Sequence, residues 1–170
     1  MLIVHGWQAS SRSNWFPEAK AFFEAKGFLV CAPDLPGDYD PQLSNWLQIV
    51  KSFEPDENWI LMGHSLGGVA IMRHLEQAKK PVAQTILIST PVNEMKFSPL
   101  KDFFAKEFAW EKIKQNAGKI NLIYELDDQV VPIEHGHILA GELGVTLETV
   151  PGAVHLCQMD INILDKAING

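Results

Sequence analysis

Short apolar runs recur along the chain and are separated by segments in which apolar residues have a helical spacing. The runs occupy residues 2–4, 28–31, 59–62, 85–88, 120–124 and 145–150. The first four are continuous rather than alternating, which is typical of strands buried on both faces of a parallel sheet. The last run alternates more, as expected for a strand near a sheet edge. The pattern therefore predicts six strands.

Three of the intervening segments carry an amphipathic helical pattern. In each segment the apolar residues recur three or four positions apart and so share one face of a helix. They are Phe16, Ala19 and Phe23; then Leu43, Trp46, Leu47 and Val50; and finally Cys157, Ile161, Leu164 and Ile168. Each face predicts a helix that packs against the sheet.

Residues typical of helix starts and helix ends lie between the apolar runs and the helical segments. Asp40 and Ser98 each precede a proline, which predicts an N-cap followed by proline at the first helical position. Gly27, Gly118 and Gly144 each stand just before an apolar run, where a left-handed C-cap is needed. The alternation predicts a single α/β domain over residues 1–170, with a mainly parallel sheet covered by helices on both faces. Ligands of such sheets bind beyond the carboxyl ends of the strands.

Composition narrows the class of protein. The net charge of −7 and the absence of a basic cluster disfavour nucleic-acid binding. No apolar run is long enough to span a bilayer, and Met1 leads directly into an apolar run without a leader pattern. We therefore expect a cytoplasmic protein that does not associate with membranes. Two cysteines, Cys31 and Cys157, are too few for a disulfide framework or a metal knuckle.

The third run is followed by the sequence Gly63-His64-Ser65-Leu66-Gly67-Gly68, which contains the pattern G-x-S-x-G. Between a strand and a helix this pattern forms a sharp turn that strains the serine backbone and lifts its hydroxyl clear of the sheet. Glycines flank the serine because larger side chains would clash there. The pattern predicts that Ser65 is a nucleophile at the positive end of a helix. The alternative is a glycine-rich turn that opens a tightly packed helix.

A serine nucleophile needs a base that a third group orients. In this type of fold the acid and then the histidine follow the serine along the chain. Asp128 lies in the loop after the fifth run and is favoured over Asp127, for which a loop cap or a solvated charge is the alternative. His155 follows the last run and precedes the C-terminal helix, so it is the predicted base.

The other histidines are assigned different roles. We expect His64 to be structural, with its side chain pointing away from the serine, and His5 to shape the loop after the first strand. His74 falls within the helix after the serine and is expected to be packed or at the surface. His135 and His137 are two residues apart on a predicted helix, so they point in different directions and make a poor metal pair. The sequence predicts neither a metal site nor a cofactor.

An oxyanion hole needs two donors where charge develops on the substrate carbonyl. The elbow supplies the backbone N–H of Leu66, and the loop after the first strand supplies that of Trp7. Because both donors belong to the backbone, the role does not restrict their side chains. Trp7 either also lines the pocket or packs in the core.

These residues resemble the α/β-hydrolase superfamily, and more closely the small serine hydrolases of the retinoblastoma-binding-protein-9 and YdeN type. The similarity extends over nearly the whole chain, through residues 2–6, 32–36, 63–68 and 127–132 and to His155. The resemblance implies that Ser65, Asp128 and His155 are the nucleophile, the acid and the base. It also implies the strand order 2-1-3-4-5-6, with the first strand in the interior. Glu125 and Leu126 depart from the small residues usual before the aspartate pair.

Residues 89–119 stand where larger hydrolases insert a cap domain, and this segment is too short for one. It contains Phe97, Phe104 and Phe108, which either cover an acyl site or pack into the core. A site without a large cap favours small acyl esters, with thioesters or amides as further candidates. The alternative function is a protein-binding module on a hydrolase scaffold. The expected partner is therefore a small acyl substrate, although the sequence leaves a protein partner open.

Overall fold

The computed structural model describes residues 1–152 and 154–170. Within them, five parallel strands form one sheet in the order β1-β2-β3-β4-β5. The strands are β1 (Leu2–Val4), β2 (Ile60–His64), β3 (Gln84–Ile88), β4 (Lys119–Glu125) and β5 (Leu147–Val150). The carboxyl ends of all five strands therefore lie at one edge of the sheet.

The run at residues 28–31 does not form a strand, so the prediction of six strands was wrong, and β1 stands first in the sheet order and not in its interior. The run contributes a single isolated bridge between Leu2 and Cys31 beside β1. The Cys31 N–H donates to the Met1 carbonyl at 2.9 Å, and its carbonyl accepts from the Ile3 N–H at 2.8 Å. Pairing stops there because Pro33 has no N–H to continue the ladder. Leu29 is also 77% exposed, so this run lacks the two buried faces expected of it.

Helices cover both faces of the sheet. They are α1 (Phe16–Ala25), α2 (Leu43–Ser52), α3 (Leu66–Leu75), α4 (Trp110–Asn116), α5 (Ile133–Leu143) and α6 (Ile161–Asn169), with a 3-10 helix at Ser98–Phe104. None of the helices in the described part of the chain combines the length and apolar character that crossing a bilayer requires.

The amphipathic faces of α1 and α2 are confirmed, whereas three details of the helix boundaries differ from prediction. Helix α2 begins at Leu43, because Gln42 is still extended, and not at Asp40 and Pro41. Ser98 begins a 3-10 helix instead of an α-helix. Cys157 lies outside α6, which begins at Ile161 after the Asp160 side chain accepts a hydrogen bond from Asn162.

Gly118 shows why a glycine ends the segment before β4. Its φ is +62°, and a Cβ at this position would lie 2.3 Å from the carbonyl oxygens of Val82 and Ala83. Only glycine fits a turn that is both left-handed and this closely packed. Gly27 and Gly144 also have positive φ, as predicted.

The sheet separates two apolar clusters. Leu87 of β3 packs in the cluster that also contains Trp46 and α3, while its neighbours Ile86 and Ile88 pack with α1 and α6 on the other face. Successive strand residues point to opposite faces, so consecutive residues of such a strand are buried on both sides and are mainly apolar. The continuous run at residues 85–88 is explained by this arrangement, and polar residues are left to the strand ends.

Candidate active site

Ser65 lies at the turn between β2 and α3, in a backbone conformation that disfavours side chains. Its φ is 52° and its ψ is −124°. A Cβ on Gly63 would lie 2.6 Å from the Gly68 Cα, and a Cβ on Gly67 would lie 2.2 Å from the Val4 carbonyl oxygen. The glycines of the motif are therefore required by close backbone packing, which holds Ser65 at the carboxyl edge of the sheet.

Asp128 and His155 are in direct contact, with 2.8 Å between Asp128 Oδ2 and His155 Nδ1. The other carboxylate oxygen accepts hydrogen bonds from the N–H groups of Val130 and Val131 at 2.8 and 2.9 Å. Burial alone would raise the pKa of Asp128, but the hydrogen bonds from His155 and the backbone outweigh it and lower that pKa below its usual value. An ionised carboxylate only accepts, so Nδ1 carries the proton and Nε2 of the neutral ring is free to take one.

Asp127 takes no part in this contact. Its side chain is exposed, and its backbone N–H donates to the Gly152 carbonyl at 3.1 Å. The two aspartates therefore differ in the structure, with Asp128 turned inward and Asp127 in solvent.

Ser65 and His155 line one cleft of about 240 Å³. The rest of its wall is largely apolar and consists of Trp7, Gln8, Leu66, Pro91, Met95, Phe97, Leu100 and Val130. Of Ser65, Asp128 and His155, only the last two are hydrogen-bonded to each other within the described part of the chain. The hydrogen bond between a nucleophile such as Ser65 and a base such as His155 is often long until a substrate binds.

The two predicted oxyanion donors belong to segments that lie next to Ser65. Leu66 is the first residue of α3, so its N–H has no acceptor within the helix. A Cβ on Gly6 would lie 3.0 Å from the Ser65 Cβ, which places the loop after β1 directly against the serine. Trp7 is the next residue of that loop and lines the cleft. This arrangement suits the stabilisation of a negative oxygen beside Ser65.

The aromatic residues predicted to contact substrate separate into two groups. Phe97 lies at the cleft, 40% exposed, with its ring 5.7 Å from that of Trp7. Phe104 and Phe108 do not line the cleft and instead line a separate depression with Val92 and other residues. The expectation that these two residues share a site with Ser65 therefore does not match the geometry.

Arg73 is the physical reason for that separation. This buried side chain of α3 donates to the carbonyls of Phe103, Lys106 and Glu107, and its guanidinium lies 3.9 Å from the centre of the Phe108 ring. Phe103 is fully buried in the core against Trp46. Residues 103–108 are thus bound to α3, and only the earlier part of the segment 89–119 reaches the cleft.

The family model described as serine hydrolase matches residues 1–160. This chain belongs to the serine hydrolase family. The hydrolase is 32% identical over 161 residues to YdeN of Bacillus subtilis (strain 168), an alignment that covers 92% of this chain and 85% of YdeN. It is 28% identical over 170 residues to the serine hydrolase RBBP9 of Rattus norvegicus, with 98% and 87% of the two chains covered. The resemblance inferred from the sequence is confirmed.

Solved structures show the same fold. The crystal structure of the ydeN gene product from B. subtilis superposes on the hydrolase with a TM-score of 0.90 and 28% identity, covering 99% of this chain and 98% of the other. Est1E from Butyrivibrio proteoclasticus superposes with a TM-score of 0.76 and 16% identity, covering 98% and 84%. The second likeness concerns the fold alone, which is that of an α/β hydrolase.

His5 fixes the loop that carries Trp7 in the hydrolase. The His5 Nε2 accepts from the Leu35 N–H at 2.8 Å, so Nδ1 holds the proton and donates to the Gly6 carbonyl at 2.7 Å. Burial lowers the pKa of His5, which favours this neutral form. Both ring nitrogens are therefore committed to backbone groups, as expected for a residue that shapes the loop.

Three side chains that the sequence did not place in the site of the hydrolase bind the backbone of His155 and Leu156. The His64 Nε2 donates to the His155 carbonyl at 2.8 Å, and Trp15 and Glu125 bind the backbone of Leu156. His64 was expected to be structural, and burial lowers its pKa to about 3, so it is neutral at ordinary pH. The one signal available in the sequence was Glu125, a carboxylate at the end of a strand that is otherwise largely apolar.

His74 lies buried in α3 of the hydrolase, remote from the cleft. Burial lowers its pKa to about 4, and the charge of Lys51 adds to this shift. Neither ring nitrogen has a hydrogen-bond partner among the described residues. Protonation of His74 is therefore less favourable in the folded protein than in the unfolded chain.

We expect His74→Leu to reduce the acid sensitivity of folding. The pKa of His74 is lower in the folded state than in the unfolded chain, where it is about 6.5. Stability is therefore fully present above pH 6.5 and is lost as the pH falls toward 4, at about 1.4 kcal/mol per pH unit for this group. Urea unfolding of wild type and variant at pH 7 and pH 4.5 measures how steeply the free energy of unfolding changes with pH. The exposed His137, changed to leucine, is the control, and equal slopes in both variants would contradict the prediction.

Proposed function

We propose that the hydrolase cleaves small acyl esters through an acyl-enzyme formed on Ser65. The observation that carries the proposal is the hydrogen-bonded Asp128–His155 pair in the same cleft as a serine held in a strained turn. Nucleophile, base and orienting acid are the three groups that such chemistry needs.

In the first half of the reaction, Ser65 Oγ attacks the ester carbonyl carbon while His155 Nε2 takes the hydroxyl proton. The carbonyl oxygen becomes an oxyanion, which the N–H groups of Leu66 and Trp7 stabilise. The bond to the alcohol then breaks, and the His155 proton passes to the leaving oxygen. Asp128 keeps its charge and stabilises the imidazolium during these steps.

In the second half, water replaces the alcohol. His155 takes a proton from the water as its oxygen attacks the acyl carbon, and the same two N–H groups stabilise the second oxyanion. The bond to Ser65 Oγ breaks and His155 returns the proton to the serine. A carboxylic acid leaves, and the enzyme is restored. Thioesters and amides react through the same steps with a thiol or an amine as leaving group.

The size of the cleft supports a small acyl group. Its volume of about 240 Å³ lies below the range of roughly 300–1,000 Å³ usual for sites of drug-sized ligands. The side chains around Ser65 are mainly apolar, including Leu66, Leu100 and Phe97, which suits a short alkyl chain. The ordered Asp128–His155 pair favours turnover over the alternative of a binding module without activity.

We expect kcat/KM for a series of p-nitrophenyl esters to be highest with acetyl or butyryl groups and to fall for octanoyl and palmitoyl groups. Phe97→Ala opens the wall of the cleft and should move the optimum toward longer chains. Phe104→Ala is the matched control, since that ring lies outside the cleft, and should leave the profile unchanged. A wild-type preference for palmitoyl esters would contradict the small acyl site.

A further inference from the structure

The base is carried by a backbone turn of unusual conformation. His155 and Leu156 have φ values of 58° and 46°, so two successive residues with side chains adopt the left-handed region. Few residues other than glycine take this conformation, and leucine is among those it suits least. Such a turn persists only when its surroundings determine it.

Three buried side chains from three separate elements hold this turn. Trp15 donates its indole N–H to the Leu156 carbonyl at 2.8 Å, and His64 donates its Nε2–H to the His155 carbonyl at 2.8 Å. Glu125 Oε2 accepts the Leu156 N–H at 2.9 Å. The three side chains are only 2–3% exposed. Two carbonyls and one N–H of the turn are thus bound by buried side chains.

Glu125 and Asp128 hold the base from the same end of β4. Glu125 is the last residue of the strand and binds the backbone of Leu156, while Asp128 lies in the loop that follows and binds the His155 imidazole. Gly152 lies directly against Glu125, because a Cβ at this position would lie 2.2 Å from Glu125 Oε1. The two carboxylates therefore fix the ring and its backbone relative to the same strand.

His64 joins the base to the nucleophile. It directly precedes Ser65, and its ring centre lies 4.8 Å from that of His155. Rings of Trp15 and Phe16 pack edge-on against it, at centre distances of 6.3 and 5.9 Å. A shift of the turn would therefore disturb the packing beside the serine as well.

We propose that Trp15, His64 and Glu125 form a clamp that sets the position of His155. They are positioning residues, since they act through the His155–Leu156 backbone and do not line the cleft with Ser65. The role in catalysis rests on the proposed function. The clamp replaces the rigidity that regular secondary structure would supply, because His155 belongs to neither a strand nor a helix.

Two substitutions test the clamp by kinetics. Trp15→Phe removes one donor and keeps an aromatic ring, and Glu125→Leu removes the acceptor. Each should lower kcat on the order of 10- to 100-fold with little change in KM, since small misplacements of a catalytic group have effects of this size. Glu125→Gln retains an oxygen acceptor and should recover most of the loss.

Controls separate positioning from stability. Trp59→Phe makes the same chemical change in a tryptophan that packs against Phe53, remote from the turn, and should leave kcat unchanged. Val50→Ala lowers the melting temperature through a cavity in the other core cluster and should also leave kcat unchanged. Folded Trp15→Phe and Glu125→Leu proteins with wild-type kcat would overturn the clamp, and if Glu125→Leu does not fold, Trp15→Phe decides alone.

A readout without turnover keeps the clamp distinct from the proposed function. Hydrogen exchange of the Leu156 amide, measured by NMR, should accelerate in Glu125→Leu, and the Nδ1–H resonance of His155 should shift in both variants. If Ser65→Ala shows that Ser65 is not the nucleophile, the proposed function fails while these two signals still test the clamp. Unchanged exchange and an unchanged His155 resonance would overturn it.

Discussion

Replacing Ser65 with alanine should lower kcat for ester cleavage by a factor on the order of 10³ or more while the protein remains folded. In the proposed mechanism the Ser65 Oγ is the atom that forms the acyl-enzyme, and no neighbouring group can replace it in that step. The same variant should lose labelling by a fluorophosphonate, which reacts with activated serines. Ester turnover, labelling and the melting temperature, measured on wild type and variant, check the expectation.

Ser89 offers a matched control for that experiment. It also follows a strand at the carboxyl edge of the sheet, is fully buried, has a positive φ of 41°, and its hydroxyl has no hydrogen-bond partner among the described residues. Ser89→Ala should keep both turnover and labelling. Near-normal activity in Ser65→Ala would refute the assignment of the nucleophile. A folded wild-type protein that no fluorophosphonate labels would favour the binding module.

Replacing Asp128 with asparagine should lower kcat by a factor on the order of 10³ to 10⁴. The amide introduced by Asp128→Asn has no charge to stabilise the imidazolium, and its NH₂ group can face Nδ1 and select the wrong ring tautomer. Its oxygen can still accept from the Val130 and Val131 N–H groups, so the loop should keep its shape. Steady-state kinetics and the His155 ring resonances measure the two effects.

Asp127→Asn is the neighbouring control. Asp127 undergoes the same chemical change one residue away, but its side chain is exposed. It should retain the wild-type kcat. Equal losses in both variants would mean that the loop as a whole, and not the contact of Asp128 with His155, supports turnover.

The sharp turn at Ser65 was predictable because the residues that form it are neighbours in the sequence. Gly63 and Gly67 flank Ser65 within one turn, and the close contacts that require them lie in the strand and helix of the motif or in the adjacent strand. The helical faces of α1 and α2 were predictable for a similar reason, since a helix with one buried stripe shows a 3.6-residue period. In both cases the spacing of residues in the sequence matches the spacing that the local structure requires.

Other features escaped prediction because distant groups decide them. The run at residues 28–31 is apolar enough for a strand, yet only Cys31 reaches β1 in register. Phe104 and Phe108 have the spacing of a packed pair, but Arg73 determines where they lie. Apolar spacing reports that a residue is buried and does not report which partner buries it.

The sequence by itself determined the α/β class, the order of chemical groups along the chain and the serine at the turn between β2 and α3. Periodicity and the size of glycine are properties of neighbouring residues, so they can be read without the fold. Only the tertiary structure placed Asp128, which the sequence had favoured over Asp127, in contact with His155, and only it brought Glu125, His64 and Trp15 to the turn that carries His155. Those contacts join residues from 27 to 141 positions apart, and the packing of the whole sheet brings them together.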